Sequence, residues 1–294
     1  MQYFHVDVFS SQPYSGNSLA VFPDATALTG SQMAQITREL RHFESIFLLP
    51  EGEGADVHRR QARVFDLIEE LDFAGHPVLG AACVLHELRG SETPETLPET
   101  WSITLPARTV QITTQRRSQG HFSAVLDQGQ AEFRETTAPH DVASWFSLDD
   151  KDLDPELPPQ VVSTGLRYLI LPVRPGTLER ARIAIPDLDI RLEALGAQFA
   201  YLLDAEAMEG RHWNNDGVLE DVATGSAAGC VAAYLRRHDR LGDGETATLH
   251  QGRFLDRPST ITLRAHGSGT DISSVEVEAD VVFVARGTLD RIPA

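Results

Sequence analysis

The chain has 294 residues, 41% hydrophobic and 23% charged, with a mean hydropathy of -0.20, a globular profile that excludes disorder and leaves room for about two domains. Its 43 Asp and Glu outweigh 25 Lys and Arg to give a net charge of -18, a field that repels phosphate backbones and anionic lipid, so neither nucleic acid nor a membrane is an expected partner. All but one of the 25 basic residues are Arg, and the sole lysine, Lys151, lies in an acidic run, which removes Walker A and pyridoxal phosphate chemistry.

The opening residues alternate, with Phe4, Val6 and Val8 on one side, and predict a strand; Pro13 to Asn17 turns the chain at Gly16, and Leu19 to Phe22 is extended. Thr29 followed by Gln32 is a capping box for a helix with Met33, Ile36 and Leu40 on one face, ending near His42. Ile46 to Leu49 and Arg63 to Phe65 read as strands on either side of a polar loop. Gly75-His76-Pro77 opens a second helix, with Pro77 at its first position and Gly90 as its stop. A polar loop over 91–100 precedes β segments at Ile103 to Leu105, Thr109 to Thr113 and His121 to Leu126, and the acidic, proline-bearing stretch 136–160 reads as a connector. Beyond it, Val161 to Val173 reads as one strand, Leu188 to Gln198 as a short helix and Phe199 to Leu203 as a strand. Gly225 opens an alanine-rich helix ending at Arg236-Arg237-His238, and Ile261 to Leu263 and Ser274 to Val284 are β again. The N-terminus has no basic region followed by an apolar stretch, and no apolar run approaches the ~18 residues of a membrane span. With only Cys83 and Cys230 and no CxxC, neither a disulfide framework nor a cysteine zinc site is expected. The expectation is a reduced, cytoplasmic protein.

The two halves are related. At an offset of 150, Glu70 falls on Glu220, Gly75 on Gly225, His76 on Ser226, Ala82 on Ala232 and Leu85 on Leu235, and Arg63-Val64-Phe65 stands before the first of these helices as Arg211-His212-Trp213 does before the second. This predicts a duplicated β-rich unit with one central helix.

Both of these helices begin with small residues and carry no acid in the first turn. Their unpartnered amides and the positive end of the dipole suit a carboxylate, although Gly, Ser and Thr there also serve as ordinary caps. Glu44 lies among Phe43, Ile46 and Phe47, whose exclusion of water would raise its pKa toward that of a general acid or base; the plain alternative is a solvated glutamate. His76 either caps its helix or donates toward a bound anion, and Asp221 either joins that chemistry or holds its loop. No histidine pair has zinc-ligand spacing, Thr224 stands where the first glycine of a nucleophile elbow belongs, and no GxGxxG follows a strand, so metal, serine-hydrolase and nicotinamide chemistry have no anchor.

Several blocks together resemble the PhzF family, which includes the phenazine-biosynthesis isomerase: Asp7-Val8-Phe9 with Gly16-Asn17, Phe43-Glu44-Ser45, Glu70 with Phe73-Ala74-Gly75-His76-Pro77, Ser163-Thr164-Gly165-Leu166, Glu220-Asp221 with Ala223-Thr224-Gly225-Ser226-Ala227-Ala228-Gly229, and Gln251-Gly252 with Arg257-Pro258-Ser259. The resemblance implies an α+β fold of two pseudo-symmetric diaminopimelate-epimerase-like domains, each a curved sheet around a central helix, with the active site between them. The expected domains are 1–118 and 119–294, the last strand being free to return to the first. The resemblance also implies a homodimer, no metal and no cofactor. By position it makes Glu44 the acid/base, with His76 and Asp221 as polar catalytic partners, and Asn17, Ser45, Gly75, Thr224, Gly225 and Ser226 as substrate-binding residues. Asp66, Leu67 and Asp72 replace the family's usual Thr, Pro and Pro, Val222 replaces a common Pro, and His212 to Asn215 depart from its aromatic and proline pattern. The expected activity is cofactor-independent proton movement within a small carboxylic acid. The alternatives are an amino-acid epimerase or racemase, and a carboxylate-binding protein without turnover.

Overall fold

The computed structural model describes residues 1–294 except 53, 55, 91–96 and 137–141. The chain divides into two compact units, Met1–Asp127 with Glu278–Ala294, and Gln128–Val277.

In the first unit, β1 (Gln2–Val8) pairs antiparallel with β2 (Asn17–Phe22) through a turn at Gly16. The Gly16 φ of 69° and a Cβ position only 2.4 Å from the Val8 carbonyl admit glycine alone. The capping box is present: Thr29 Oγ1 accepts from the Gln32 amide at 3.3 Å, and Gln32 Oε1 accepts from the Thr29 amide at 2.9 Å. It starts α1 (Gly30–Leu40), whose Met33 and Ile36 cover Ala20, Phe22, Phe47 and Phe65. β3 (Glu44–Pro50) then runs parallel to β2, and β4 (Arg59–Asp66) returns antiparallel. After β5 (Glu70–Leu71) comes α2 (Gly75–Arg89), buried continuously from Gly75 to His86. A helix apolar on all sides belongs inside a core, and the strands supply that enclosure. With β6 (Glu99–Thr104), β7 (Thr109–Ser118), β8 (His121–Asp127) and β16 (Asp271–Thr288), the order β1-β2-β3-β4-β6-β7-β8-β16 closes where β16 pairs with β1.

The second unit repeats the plan. Its strands are β9 (Glu132–Thr136), β10 (Gln160–Ser163), β11 (Arg167–Val173), β12 (Phe199–Asp204), β13 (Glu209–Arg211), β14 (Ala247–Gln251) and β15 (Ser259–Ser268), paired in that order and followed by the first part of β16. Backbone bonds from Gln128 to Val275 (2.8 Å) and from Ala131 to Ile272 (3.0 Å) join the two ends. The interior is filled by α4 (Gly225–Arg237), buried from Gly225 to Leu235. Alternation along β11 and β12 sends Leu169, Leu171 and Leu202 outward onto Trp145, Phe146 and α3 (Leu188–Ala194), with Tyr168, Ile170 and Tyr201 on the opposite face. Strand, short helix, parallel strand, antiparallel strand and central helix follow one another in both units, which is the duplication expected from the 150-residue offset.

Several local expectations change. The single strand expected over 161–173 is a hairpin, broken at Gly165 with φ 139°. β9, β13 and β14 are short or polar and carried no alternation strong enough to read. Pro77 is the third residue of α2 rather than its first, which its missing N–H permits because the first-turn donors have no intrahelical partner. The expected connector, apart from 137–141, belongs to the second unit, where Val142, Trp145, Phe146 and Leu148 are core residues despite the acidic composition around them. Most of the loop at 91–100 lies outside the described residues. No helix among the described residues is long and apolar enough to cross a membrane.

Candidate functional site

In the first unit, strand register assembles one cluster. Val6 pairs with Leu19, and Leu19 with Glu44. Asn17, two residues before Leu19, therefore shares the inner face with Glu44, and both look toward the start of α2. There Glu44 Oε2 stands 3.9 Å from His76 Nε2, and Asn17 Nδ2 lies 3.5 Å from His76 Nδ1. Asn17, Glu44 and His76 are 1%, 8% and 4% exposed. Burial pulls the His76 pKa down to about 3, so the ring is neutral at physiological pH. With the Asn17 amide donating to Nδ1, network assignment leaves the ring proton on Nε2, the nitrogen that faces Glu44. Ser45 pairs with Phe65 on the other face of the same strands. Its hydroxyl is buried without a hydrogen-bond partner among the described residues and is separated from the Glu44 cluster.

Gly75 begins α2 behind Ala74, which has no side chain able to cap, and the first turn holds no acid. The first-turn amides and the positive dipole end are therefore left for another acceptor.

The second unit builds a corresponding cluster at α4. Asp221 accepts from Thr224 Oγ1 at 2.7 Å and from the Ala223 amide at 3.4 Å. Thr224 occupies the N-cap position yet makes no side-chain cap; its hydroxyl donates to Asp221, and its oxygen accepts from Gln251 Nε2 rather than from a first-turn amide. Ser226 Oγ meets Tyr168 Oη at 2.8 Å, and the Gly225 carbonyl accepts from Gln128 Nε2 at 2.8 Å. Asp221, Thr224, Gly225 and Ser226 are thus gathered at one helix start. Asn17, Glu44, Gly75 and His76 are gathered at the other.

Matching ion pairs brace the segments entering both helices. Arg63 grips Glu70 through two bonds of 2.7 and 2.6 Å, and Arg211 grips Glu220 through two of 2.8 and 2.6 Å. Each guanidinium also covers the ring two residues on, Phe65 at 5.3 Å and Trp213 at 4.3 Å. The glutamates were visible in the sequence as a pair at the repeat offset. Tyr168 and Gln128 were not, since Tyr168 reaches the site from β11 and Gln128 from the residue that follows β8, and neither stands out locally.

Cys83 and Cys230 are fully buried inside α2 and α4, and burial raises both thiol pKa values, that of Cys230 to about 11. They are core residues without thiolate character. Among the described residues, no group of three or more His, Cys, Asp or Glu is placed to hold a metal ion.

A family model described as phenazine biosynthesis-like protein matches residues 6–287. The chain belongs to this PhzC-PhzF family. It is 31% identical to a trans-2,3-dihydro-3-hydroxyanthranilate isomerase from Pseudomonas aeruginosa, over 97% of this chain and 98% of that one. A solved structure from the same organism, named a predicted epimerase, is 48% identical with a TM-score of 0.89 and covers 99% of both chains. The PhzF-family phenazine biosynthesis protein of Bacillus anthracis shares the fold with a TM-score of 0.81 at 23% identity, over 98% of each chain. The curated relatives are named isomerases, and this PhzC-PhzF member is an enzyme of that class.

Proposed function

We propose that this isomerase moves a proton within a small unsaturated carboxylic acid, with Glu44 as the acid/base. The observation that carries the reading is the buried Glu44–His76 contact at the uncapped start of α2. The Glu44 carboxylate takes a proton from an activated C–H, and the released electron pair becomes a new C=C while the existing double bond shifts. The Glu44 carboxylic acid returns the proton at the far carbon of the shifted system, so atoms and electrons balance without a redox partner. His76, neutral and protonated on Nε2, donates toward negative charge developing on the substrate. The open first turn of α4, with Thr224, Gly225 and Ser226, supplies carboxylate recognition, and Asp221 supplies a fixed negative acceptor for a substrate N–H or O–H.

The test is incubation in deuterated water with trans-2,3-dihydro-3-hydroxyanthranilate, the substrate named for the 31% relative, and with a panel of small unsaturated acids. Wild type is expected to shift the double bond, with solvent deuterium at the receiving carbon in those turnovers in which the Glu44 proton exchanges before it is returned. Glu44→Gln should be slower by about 10²–10⁴-fold, the usual contribution of a placed acid/base. Equal deuterium incorporation by both proteins overturns the role of Glu44.

The 48% identical structure is named a predicted epimerase, which favours epimerisation as a second reading. Inversion at one carbon without movement of a double bond would select it. Tight carboxylate binding with no exchange at any carbon would select a binding protein.

A further inference from the structure

The Gln251-Gly252 and Ser259 positions have no part in the reaction as written, yet they converge on the loop that carries Asp221. Gln251 is 1% exposed, and its side-chain amide is fully used. Nε2 donates to the Asp221 carbonyl at 2.8 Å and to Thr224 Oγ1 at 3.0 Å. Oε1 accepts from the Thr224 amide at 3.1 Å and from Tyr201 Oη at 3.0 Å. The amide orientation is not arbitrary, because a backbone N–H can only donate and a backbone carbonyl can only accept. The side-chain bonds then run in one direction, from Tyr201 Oη to Gln251, from Gln251 Nε2 to Thr224 Oγ1 and from that hydroxyl to the Asp221 carboxylate, while the Thr224 amide donates back to Gln251 Oε1.

The surroundings are shaped to hold this hub. Tyr201 lies against Gly210, where an added Cβ would stand 2.1 Å from Cε1 of the ring. Gly252 has φ 83°, and its Cβ would meet the Arg257 and Val222 carbonyls at 2.3 and 2.7 Å. Only glycine lets the chain turn there, directly beneath the loop. Ser259, which pairs with Gln251 across β14 and β15, donates to the Arg257 carbonyl at 3.2 Å and reaches the Val222 carbonyl at 3.5 Å. The polar side chains of this block are therefore spent on residues 221–224 and their support.

We infer that Gln251 is the positioning residue of the second-unit cluster: it holds Asp221 and the open first turn of α4 in the geometry that receives the substrate. This rests on the proposed function for its kinetic consequence but not for its structural one. Removing the hub takes away the donor to Thr224 Oγ1, the acceptor of the Thr224 amide and the donor to the Asp221 carbonyl, so the loop and the first turn of α4 lose the bonds that fix them.

The test uses the full-length chain with Gln251→Leu, Gln251→Glu and Tyr201→Phe. Hydrogen exchange without ligand is read over peptides spanning 221–230, with 75–85 as the internal reference. Exchange over 221–230 should rise about tenfold or more in Gln251→Leu and less in Tyr201→Phe, with 75–85 unchanged; no change in a folded Gln251→Leu overturns the inference. If Gln251→Leu does not fold, Gln251→Glu carries the same measurement. The kinetic arm uses trans-2,3-dihydro-3-hydroxyanthranilate. In Gln251→Glu a second carboxyl shares a buried site with Asp221, which raises its pKa. Its protonated form restores a donor, so kcat/KM relative to wild type should recover about tenfold as pH falls from 8 to 5, while Gln251→Leu shows no such recovery. Wild-type behaviour of Gln251→Glu at every pH overturns the inference. Inactivity of wild type toward every acid tested sinks the functional reading, and the exchange measurement still decides the role of Gln251.

Discussion

Arg211 and Glu220 meet as a two-bond fork with side chains only 5% and 9% exposed, and the Arg211 guanidinium lies between the Trp213 and Phe254 rings at 4.3 and 4.2 Å. Its counterpart, Arg63 with Glu70, has the same geometry at 36% and 31% exposure. Burial, not geometry, separates the two in energy. Truncating Arg211 strands a buried carboxylate, whereas truncating Arg63 leaves Glu70 within reach of water. Arg211→Ala is therefore expected to cost about 3–5 kcal/mol, and Arg63→Ala about 1 kcal/mol or less. Urea denaturation midpoints check this, and equal losses would refute the distinction.

A second prediction concerns Gly229 in the middle of α4. Alanine normally stabilises a helix by about 1 kcal/mol over glycine, but a Cβ at 229 would stand 2.1 Å from Gln128 Oε1. Gln128 holds the Gly225 carbonyl and accepts from Thr164 Oγ1 at 2.5 Å. Gly229→Ala should thus destabilise by about 1–3 kcal/mol, the range for overpacking a tight site. Gln128→Ala in the same chain should recover part of the loss. A stabilised Gly229→Ala would show that the contact gives way freely.

The third follows from buried, neutral histidines. Burial lowers the His212 pKa to about 4, even though its Nδ1 bonds the Ala200 carbonyl at 2.9 Å, and burial lowers that of His76 to about 3. Both side chains take up protons near pH 6.5 once unfolded, so between that value and the folded pKa the unfolded state binds more protons. Stability is expected to fall as pH drops below 6.5 and to be unaffected by these residues above it. By pH 4.5 the His212 contribution amounts to about 2–3 kcal/mol. His212→Gln should flatten the decline in a comparison of urea midpoints at pH 7 and 4.5. Identical slopes in both proteins would refute it.

Much of this was legible along the chain. The Thr29–Gln32 capping box, the apolar stripe of α1, the two helix starts and the Glu70–Glu220 repeat are local patterns, and local backbone chemistry decides them. Glu44 and His76 stood out because each sits at a junction between an apolar run and a helix or strand end. Their contact did not, because it depends on how α2 packs against β3, a long-range arrangement that no window of sequence contains. Register likewise divides Glu44 from Ser45, adjacent in sequence but on opposite faces of one strand. The second-unit cluster shows the same limit: Tyr168, Gln128 and Gln251 reach the start of α4 from strands or loops scattered through the chain. Residue order was enough to set which backbone segments are helical, where two of them open without an acid, and which family the chain resembles. Which side chains share a face, and which hydrogen bonds they exhaust, came only with the folded chain, because burial and partner geometry are set by pairing between residues far apart in the sequence.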